Sequence, residues 1–241
     1  MIHQVPPYFI NGQHRITVDV VGLGGTGSLV LTKLARLSKA LNHLEHPGIY
    51  ARAIDFDLVE EHNVGRQMFT PADVGENKAV CLISKINMSF GMDWNAFSGK
   101  YQDYHRTSNI VISCVDNIPT REYILEKFYQ KGSFSDTTKK YYLIDCGNAR
   151  DYGQVILSDH DQKLDNINKF VPAWRSQDTV EQQGMGCSYQ QSLEEQDLFI
   201  NDWVSLMAVD LIKELLLKKH LNHQGFFFNQ SDCIIQKIKI M

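Results

Sequence analysis

Along the chain the apolar positions alternate between two periods. Ile16 to Val21 is a short run rich in β-branched residues that ends at Gly22, the pattern of a buried strand. From Ser28 the spacing turns helical. Leu29, Leu31, Leu34, Ala35, Leu37 and Leu41 form the apolar side, with Lys33, Arg36 and Lys39 between them. Asn42 to Gly48 interrupts that helix, and Ile49 to Ile54 reads as a second buried strand. Strand, glycine turn, helix, strand is a βαβ unit, which requires parallel pairing and a right-handed crossover.

The alternation continues. Asn77 to Met88 is expected to be a helix, Trp94 to Phe97 a short strand and Asn109 to Val115 a strong apolar strand. Asn117, with Pro119 just after it, is placed to cap a helix running to about Gln130. Tyr141 to Ile144 and Gln154 to Leu157 read as further strands. Asp159 to Gly186 is polar and contains Pro172, Gly184 and Gly186 with little periodicity, and a connection that long is usually functional or mobile. Ser188 to about His220 is expected to be one long helix, with Leu193, Trp203, Met207, Leu211 and Leu215 as its apolar stripe. Lys218, Lys219 and His220 suit its negative end. Gly225 to Asn229 and Ile234 to Ile240 read as a closing hairpin. The fold class is therefore α/β, a doubly wound Rossmann-like sheet in a single domain, parallel in its N-terminal part and antiparallel later.

Composition excludes several classes. The chain has 241 residues, 43% hydrophobic and 22% charged, as in ordinary folded domains. It can bury roughly 70% of its unfolded surface. Lys plus Arg at 24 against Asp plus Glu at 28 gives net −4, which argues against a strongly basic nucleic-acid binder. The longest helix-like apolar run, Trp203 to Leu217, is broken by Asp210, Lys213 and Glu214, so no membrane span is expected. The N-terminus lacks the pattern of a signal peptide, and a cytoplasmic location is expected. Five cysteines without any C-x-x-C pair argue against a disulfide framework and a four-cysteine zinc site. The His43/His46 and His220/His223 pairs have no accompanying ligand pattern.

Chemistry enters at Gly22-Leu23-Gly24-Gly25-Thr26-Gly27. This G-x-G-x-x-G sequence lies at a strand-to-helix turn, where Gly22, Gly24, Gly25 and Gly27 let the backbone approach a phosphate at the helix N-terminus. The motif alone suits NAD, FAD or ATP equally. Asp55, at the tip of the second strand, is placed to accept hydrogen bonds from ribose hydroxyls or to cap the next loop, and Asp57 follows it. Beyond lie Asn63, Arg66, Gln67 and Lys78. A nicotinamide dehydrogenase has no use for this amide, guanidinium and ammonium, whereas triphosphate chemistry does. An Arg and a Lys converging on the phosphates neutralise charge as pyrophosphate leaves.

Together, G-L-G-G-T-G, D-F-D-x-V-E-x-x-N-x-x-R-Q, G-x-x-K and Cys114-Val115-Asp116-Asn117 resemble the ThiF/MoeB family, the adenylating fold of ubiquitin-activating enzymes. The C-terminal stretches Gln196 to Asn201 and Gly225 to Asn229 are similar to short ThiF proteins of plasmid-associated PRTRC gene systems. The resemblance implies ATP as cosubstrate, with Asp55 on the ribose and Gly24 and its neighbours close to the nucleotide. It places Asn63, Arg66 and Lys78 around the phosphates, with Gln67 supporting, and Asp116 on Mg²⁺ near the α-phosphate. The implied reaction is attack on the α-phosphorus by the C-terminal carboxylate of a ubiquitin-like or sulfur-carrier protein. Residues 1–130 would then form a nucleotide-binding half. Residues 131–241 would form a carrier-binding half, with a crossover segment at about 159–187. A homodimer and a conjugating-enzyme-like acceptor are further expectations.

Many relatives pass the acyl group to a cysteine on the crossover. Cys187 lies at its end and just before the expected long helix, where a helix N-terminus favours thiolate. Cys81, Cys114, Cys146 and Cys233 suit structural roles better. Two features depart from the family. The zinc-binding cysteine pairs are missing, so no zinc is expected. Only fifteen residues precede the first strand, and Arg15 is a poor substitute for an arginine reaching into a partner's site. A catalytically silent dimeric scaffold and an NAD-dependent oxidoreductase remain as competing functions.

Overall fold

The computed structural model describes residues 1–131, 139–175 and 197–241. Its strands are β1 (His3–Gln4), β2 (Ile16–Val21), β3 (Ile49–Ile54), β4 (Asn95–Phe97), β5 (Ile110–Ser113), β6 (Tyr142–Asn148), β7 (Tyr152–Asp159), β8 (His220–Leu221), β9 (His223–Asn229) and β10 (Ile234–Lys239). Its helices are α1 (Pro7–Ile10), α2 (Gly25–His43), α3 (Lys78–Phe90), α4 (Ile118–Tyr129), α5 (Ile167–Phe170) and α6 (Ile200–Leu217).

Eight strands form one sheet in the order β10-β9-β7-β6-β5-β2-β3-β4. β4, β3, β2, β5 and β6 run parallel, and β7, β9 and β10 are added antiparallel. The expected fold class is thus the observed one. The β-branched runs at the centre are buried on both sides, as a covered parallel sheet requires. Val18 and Val20 of β2, Ile112 of β5 and Ile144 of β6 meet Leu31 and Leu34 of α2 and Leu211 and Leu215 of α6 in one core cluster. On the opposite face, Val111, Leu143 and Ile156 join Ile124 and Phe128 of α4 and Trp174.

Helix boundaries follow local chemistry. α2 starts at Gly25, three residues before the apolar period becomes visible, because its first turn is the glycine motif. The Asn77 side chain caps α3 by accepting from the Ala79 and Val80 N–H groups, and Gly91 ends it in the left-handed conformation at φ +58°. Asn117 caps α4 through the Thr120 N–H at 3.0 Å.

The long helix expected over Ser188 to His220 is shorter at its visible end. α6 closes at Leu217, and His220–Leu221 leaves it to pair antiparallel with His3–Gln4 as β8. Leu221 is fully buried there, so burial favours the strand over another helical turn. At the other end Asp197 accepts from the Phe199 N–H at 2.9 Å, and α6 begins only at Ile200. Its buried face is Val204, Ala208, Leu211, Ile212 and Leu215. Trp203 and Met207 sit at the margin of that face, and Leu193 lies outside the described residues.

The polar connection after β7 is not structureless in its described part. It contains α5 and buries Leu164, Ile167 and Trp174. No described helix is long and apolar enough to cross a membrane.

Candidate functional site

The carboxyl ends of parallel strands are where an α/β sheet leaves room for a ligand. In this chain that edge is formed by Gly22 after β2, Asp55 after β3 and Cys114 after β5. Gly22 has φ +83°, and a side chain there would approach the Cys114 carbonyl oxygen to 2.8 Å. Only glycine combines that backbone with that approach. The chain then enters α2 through Gly24, whose Cβ position is open, with only Gln67 Nε2 nearby at 3.9 Å. An α-helix leaves its first N–H groups without helical partners. Those of α2 therefore offer donors and partial positive charge at the strand edge.

Asp55 anchors this turn from β3. One carboxylate oxygen accepts from the Leu23 N–H at 2.6 Å and the other from the Asp57 N–H at 2.8 Å. Asp55 is 7% exposed. Burial pushes its pKa above the ordinary carboxylate value, and the two N–H groups oppose that shift. The acid expected to face ribose is thus also the brace of the glycine turn.

The chain between β3 and α3 folds back over the same place. Asn63 is buried at the end of a short 3₁₀ turn, its amide oxygen accepting from the Glu60 N–H at 2.9 Å. Its carbonyl accepts from the Gln67 N–H at 3.0 Å, which seats Gln67 beside Gly24. Met68 N–H reaches Ser28 Oγ at 3.4 Å. Arg66 is half-buried in this segment, next to Gly65 with φ +81°. Asn77 spans back through its amide to the Asp55 and Asp57 carbonyls, 3.1 Å from each. The following residue, Lys78, is buried with its Nζ 3.5 Å from Asp57 Oδ2. The resemblance places Lys78 on phosphate; its ammonium rests against Asp57, whose own side chain is half exposed.

Asp116 is exposed just beyond β5. No group of three or more His, Cys, Asp or Glu side chains among the described residues converges as a metal site. One exposed carboxylate nonetheless fits Mg²⁺, which often takes one or two protein carboxylates and completes its shell with phosphate and water. Arg15 sits at the other end of β2 from the glycine turn, paired with Asp93 at 2.5 and 2.9 Å and lying over Tyr50. Cys187 lies outside the described residues. Burial and the neighbouring Asp73 push the Cys81 thiol up to about 11. The adjoining Cys114 and burial raise that of Cys146, so neither is poised as a thiolate.

A profile of the ThiF family matches residues 9–240. The chain belongs to the ThiF family. This ThiF-family chain is 34% identical over 125 residues to the NEDD8-activating enzyme E1 catalytic subunit of Dictyostelium discoideum. That alignment covers 49% of this chain and only 26% of the relative. Among solved structures, E. coli MccB with ATP superposes with a TM-score of 0.62 at 17% identity, covering 98% of this chain and 67% of that one. PaaA gives 0.61, 17%, 98% and 67%. Both share the fold.

Asn201 and Asn148, at the site's edge of this ThiF-family chain, belong to no motif in the sequence. Asn201 in the first turn of α6 accepts from Thr26 Oγ1 and from Asn148 Nδ2, each at 2.8 Å. The available signal was an amide at 201 on the face that carries Val204, Ser205 and Ala208. A cavity of about 560 Å³ between α4 and the stretch 101–108 shares no residue with the glycine turn.

Proposed function

We propose that this chain uses ATP to adenylate a carboxylate, the C-terminal glycine of a ubiquitin-like or sulfur-carrier protein. The observation that carries the reading is the glycine turn at the strand edge. It has open space over Gly24, the N-terminus of α2 beneath it and the Asn63–Lys78 segment folded alongside. Family membership supports it. So do the names of two similar proteins, a NEDD8-activating subunit and a structure of MccB holding ATP.

In this reading the triphosphate lies over Gly24, with its phosphates at the N-terminus of α2. Asp55, while bracing the turn, directs its remaining lone pairs to the ribose, and Asp57 lies beside it. Asn63, Gln67, Arg66 and Lys78 face the phosphates, and Lys78 exchanges Asp57 for phosphate oxygen when the nucleotide enters. Asp116 would hold Mg²⁺, which neutralises charge on the phosphates. The incoming carboxylate is already ionised at pH 7, so no general base is required. It attacks the α-phosphorus, pyrophosphate leaves, and catalysis is positioning plus charge stabilisation.

A second step would pass the acyl group from AMP to the Cys187 sulfur, forming a thioester and releasing AMP. Residues 131–241 would receive the carrier, in a homodimeric protein of the PRTRC type.

Exchange of labelled pyrophosphate into ATP, with candidate carrier proteins added, tests the first step. Carrier-dependent exchange is expected. ATP binding without exchange for any carrier would favour a silent scaffold, and tighter binding of NAD than of ATP–Mg²⁺ would favour an oxidoreductase. A thioester that survives Cys187→Ser would remove Cys187 from the second step.

A further inference from the structure

Besides the sheet and the Asp55 brace, the N-terminus of α2 meets the side chain of Asn201 from α6. Asn201 is 6% exposed, and its amide lies where Gly25 would otherwise carry a β-carbon. That carbon would be 2.5 Å from Nδ2 and 2.6 Å from Cγ. Its carbonyl oxygen accepts from the Thr26 hydroxyl, within the glycine motif, and from the Asn148 amide at the end of β6, each at 2.8 Å. An amide oxygen has two lone pairs, and these two donors match them. Lys33 of α2 and Asp202 of α6 add an ion pair at 3.1 Å one step further out.

A single carboxamide thus joins three elements: the glycine turn, the end of the last parallel strand and the start of α6. Gly25 and Asn201 are complementary. The missing side chain at one makes the space that the other fills.

We propose that Asn201 is a positioning residue, setting the place of the Gly25–Gly27 N–H groups toward a bound nucleoside triphosphate without touching the nucleotide itself. The geometric part stands on the contacts above. The consequence for ATP rests on the adenylation reading. Loss of the Asn201 oxygen leaves the Thr26 hydroxyl without its acceptor and opens space above Gly25, so the first turn of α2 is free to shift. Hydrogen bonds to phosphate depend steeply on distance and angle.

The test uses the full chain with Asn201→Ala, Thr26→Val and Thr26→Ser. Hydrogen–deuterium exchange without ligand is expected to rise selectively at residues 23–28 in Asn201→Ala and Thr26→Val, with β2 and β5 unchanged. Calorimetry with ATP–Mg²⁺ is expected to show affinity weakened roughly ten- to a hundredfold in both, the scale of hydrogen bonds to charged groups. Thr26→Ser, which keeps the hydroxyl, should recover most of it. In pyrophosphate exchange the KM for ATP should carry the effect, with kcat changed less. Combining Asn201→Ala with Thr26→Val should add little to either. Unchanged exchange at 23–28, or ATP affinity within about twofold of the parent, would overturn the proposal. Locally raised exchange in a parent protein that binds no ATP at all would leave Asn201 as a brace of the turn, overturn its role toward the triphosphate and remove the adenylation reading.

Discussion

The Asp55 carboxylate and the Leu23 N–H, 32 residues apart in sequence, meet at 2.6 Å across the top of the sheet. This contact, with the second carboxylate oxygen on the Asp57 N–H, braces the glycine turn. Asp55→Asn keeps the shape but gives one of these two N–H groups an amide NH₂ instead of an acceptor. A buried donor left unsatisfied costs about 1–3 kcal/mol. The urea midpoint should fall accordingly, together with nucleotide affinity. An unchanged midpoint would mean that the brace is not structural.

Gly27 and Gly24 separate folding from binding within one motif. A β-carbon on Gly27 would lie 1.9 Å from the Gly22 carbonyl oxygen, backbone against backbone, with nothing flexible to yield. Gly27→Ala is therefore expected to destabilise the chain by roughly 3 kcal/mol, the upper range for an overpacked site. A β-carbon on Gly24 meets only the end of Gln67. Gly24→Ala should melt close to the parent and lose ATP affinity, because its methyl group projects into open space over the turn. Thermal melts beside calorimetry would show the two variants failing in different assays.

Arg66 and Lys78 are expected to matter for turnover more than for folding. Each Ala substitution should lower pyrophosphate exchange by roughly 10²–10³, as removal of a charge-stabilising donor does. Lys78 carries a further signature. Its Nζ rests on Asp57 at 3.5 Å, so Lys78→Ala also leaves that carboxylate without its cation next to the phosphates. Near-normal exchange in both variants would remove them from the reaction.

The parallel half of the fold was legible because its elements advertise themselves over many residues. β2 and β3 are largely apolar runs, α2 keeps a helical period for about four turns from Ser28 to Leu41, and the glycine motif marks the turn between them. What escaped depends on contacts that no local window contains. Asp19 and Arg52 interrupt the apolar runs of β2 and β3. They are directly opposite in the parallel register and form a buried pair at 2.6 Å. β1 and β8 are two residues each, too short to show a period, and their pairing ended the last helix early. Asp55 was visible as an acid at a strand tip. Its use as an acceptor for Leu23 was not, because a backbone donor has no letter in the sequence. Asn201 reaches Thr26 across 175 positions, and an amide on an apolar helix face says only that a partner exists.

Acid should weaken the segment that leads into the site through Asp73. This carboxylate sits in the third position of a short 3₁₀ turn, where it accepts from the Thr70 N–H at 2.5 Å and the Thr70 hydroxyl at 2.8 Å and pairs with Lys85. Burial acts to raise its pKa, but Lys85 and the Thr70 N–H outweigh burial and hold it well below the ordinary carboxylate value. A depressed folded-state pKa means that the contribution is fully present above the unfolded value of about 3.9. It is lost as the pH falls below that value toward the folded one. Asp73→Asn should cost about 1 kcal/mol at pH 7, the usual worth of such a cap. Its deficit relative to the parent should shrink between about pH 4 and pH 2. Urea denaturation of both proteins across that range measures it, and a deficit that stays constant down to pH 2 would show that the Asp73 charge is not what stabilises the turn.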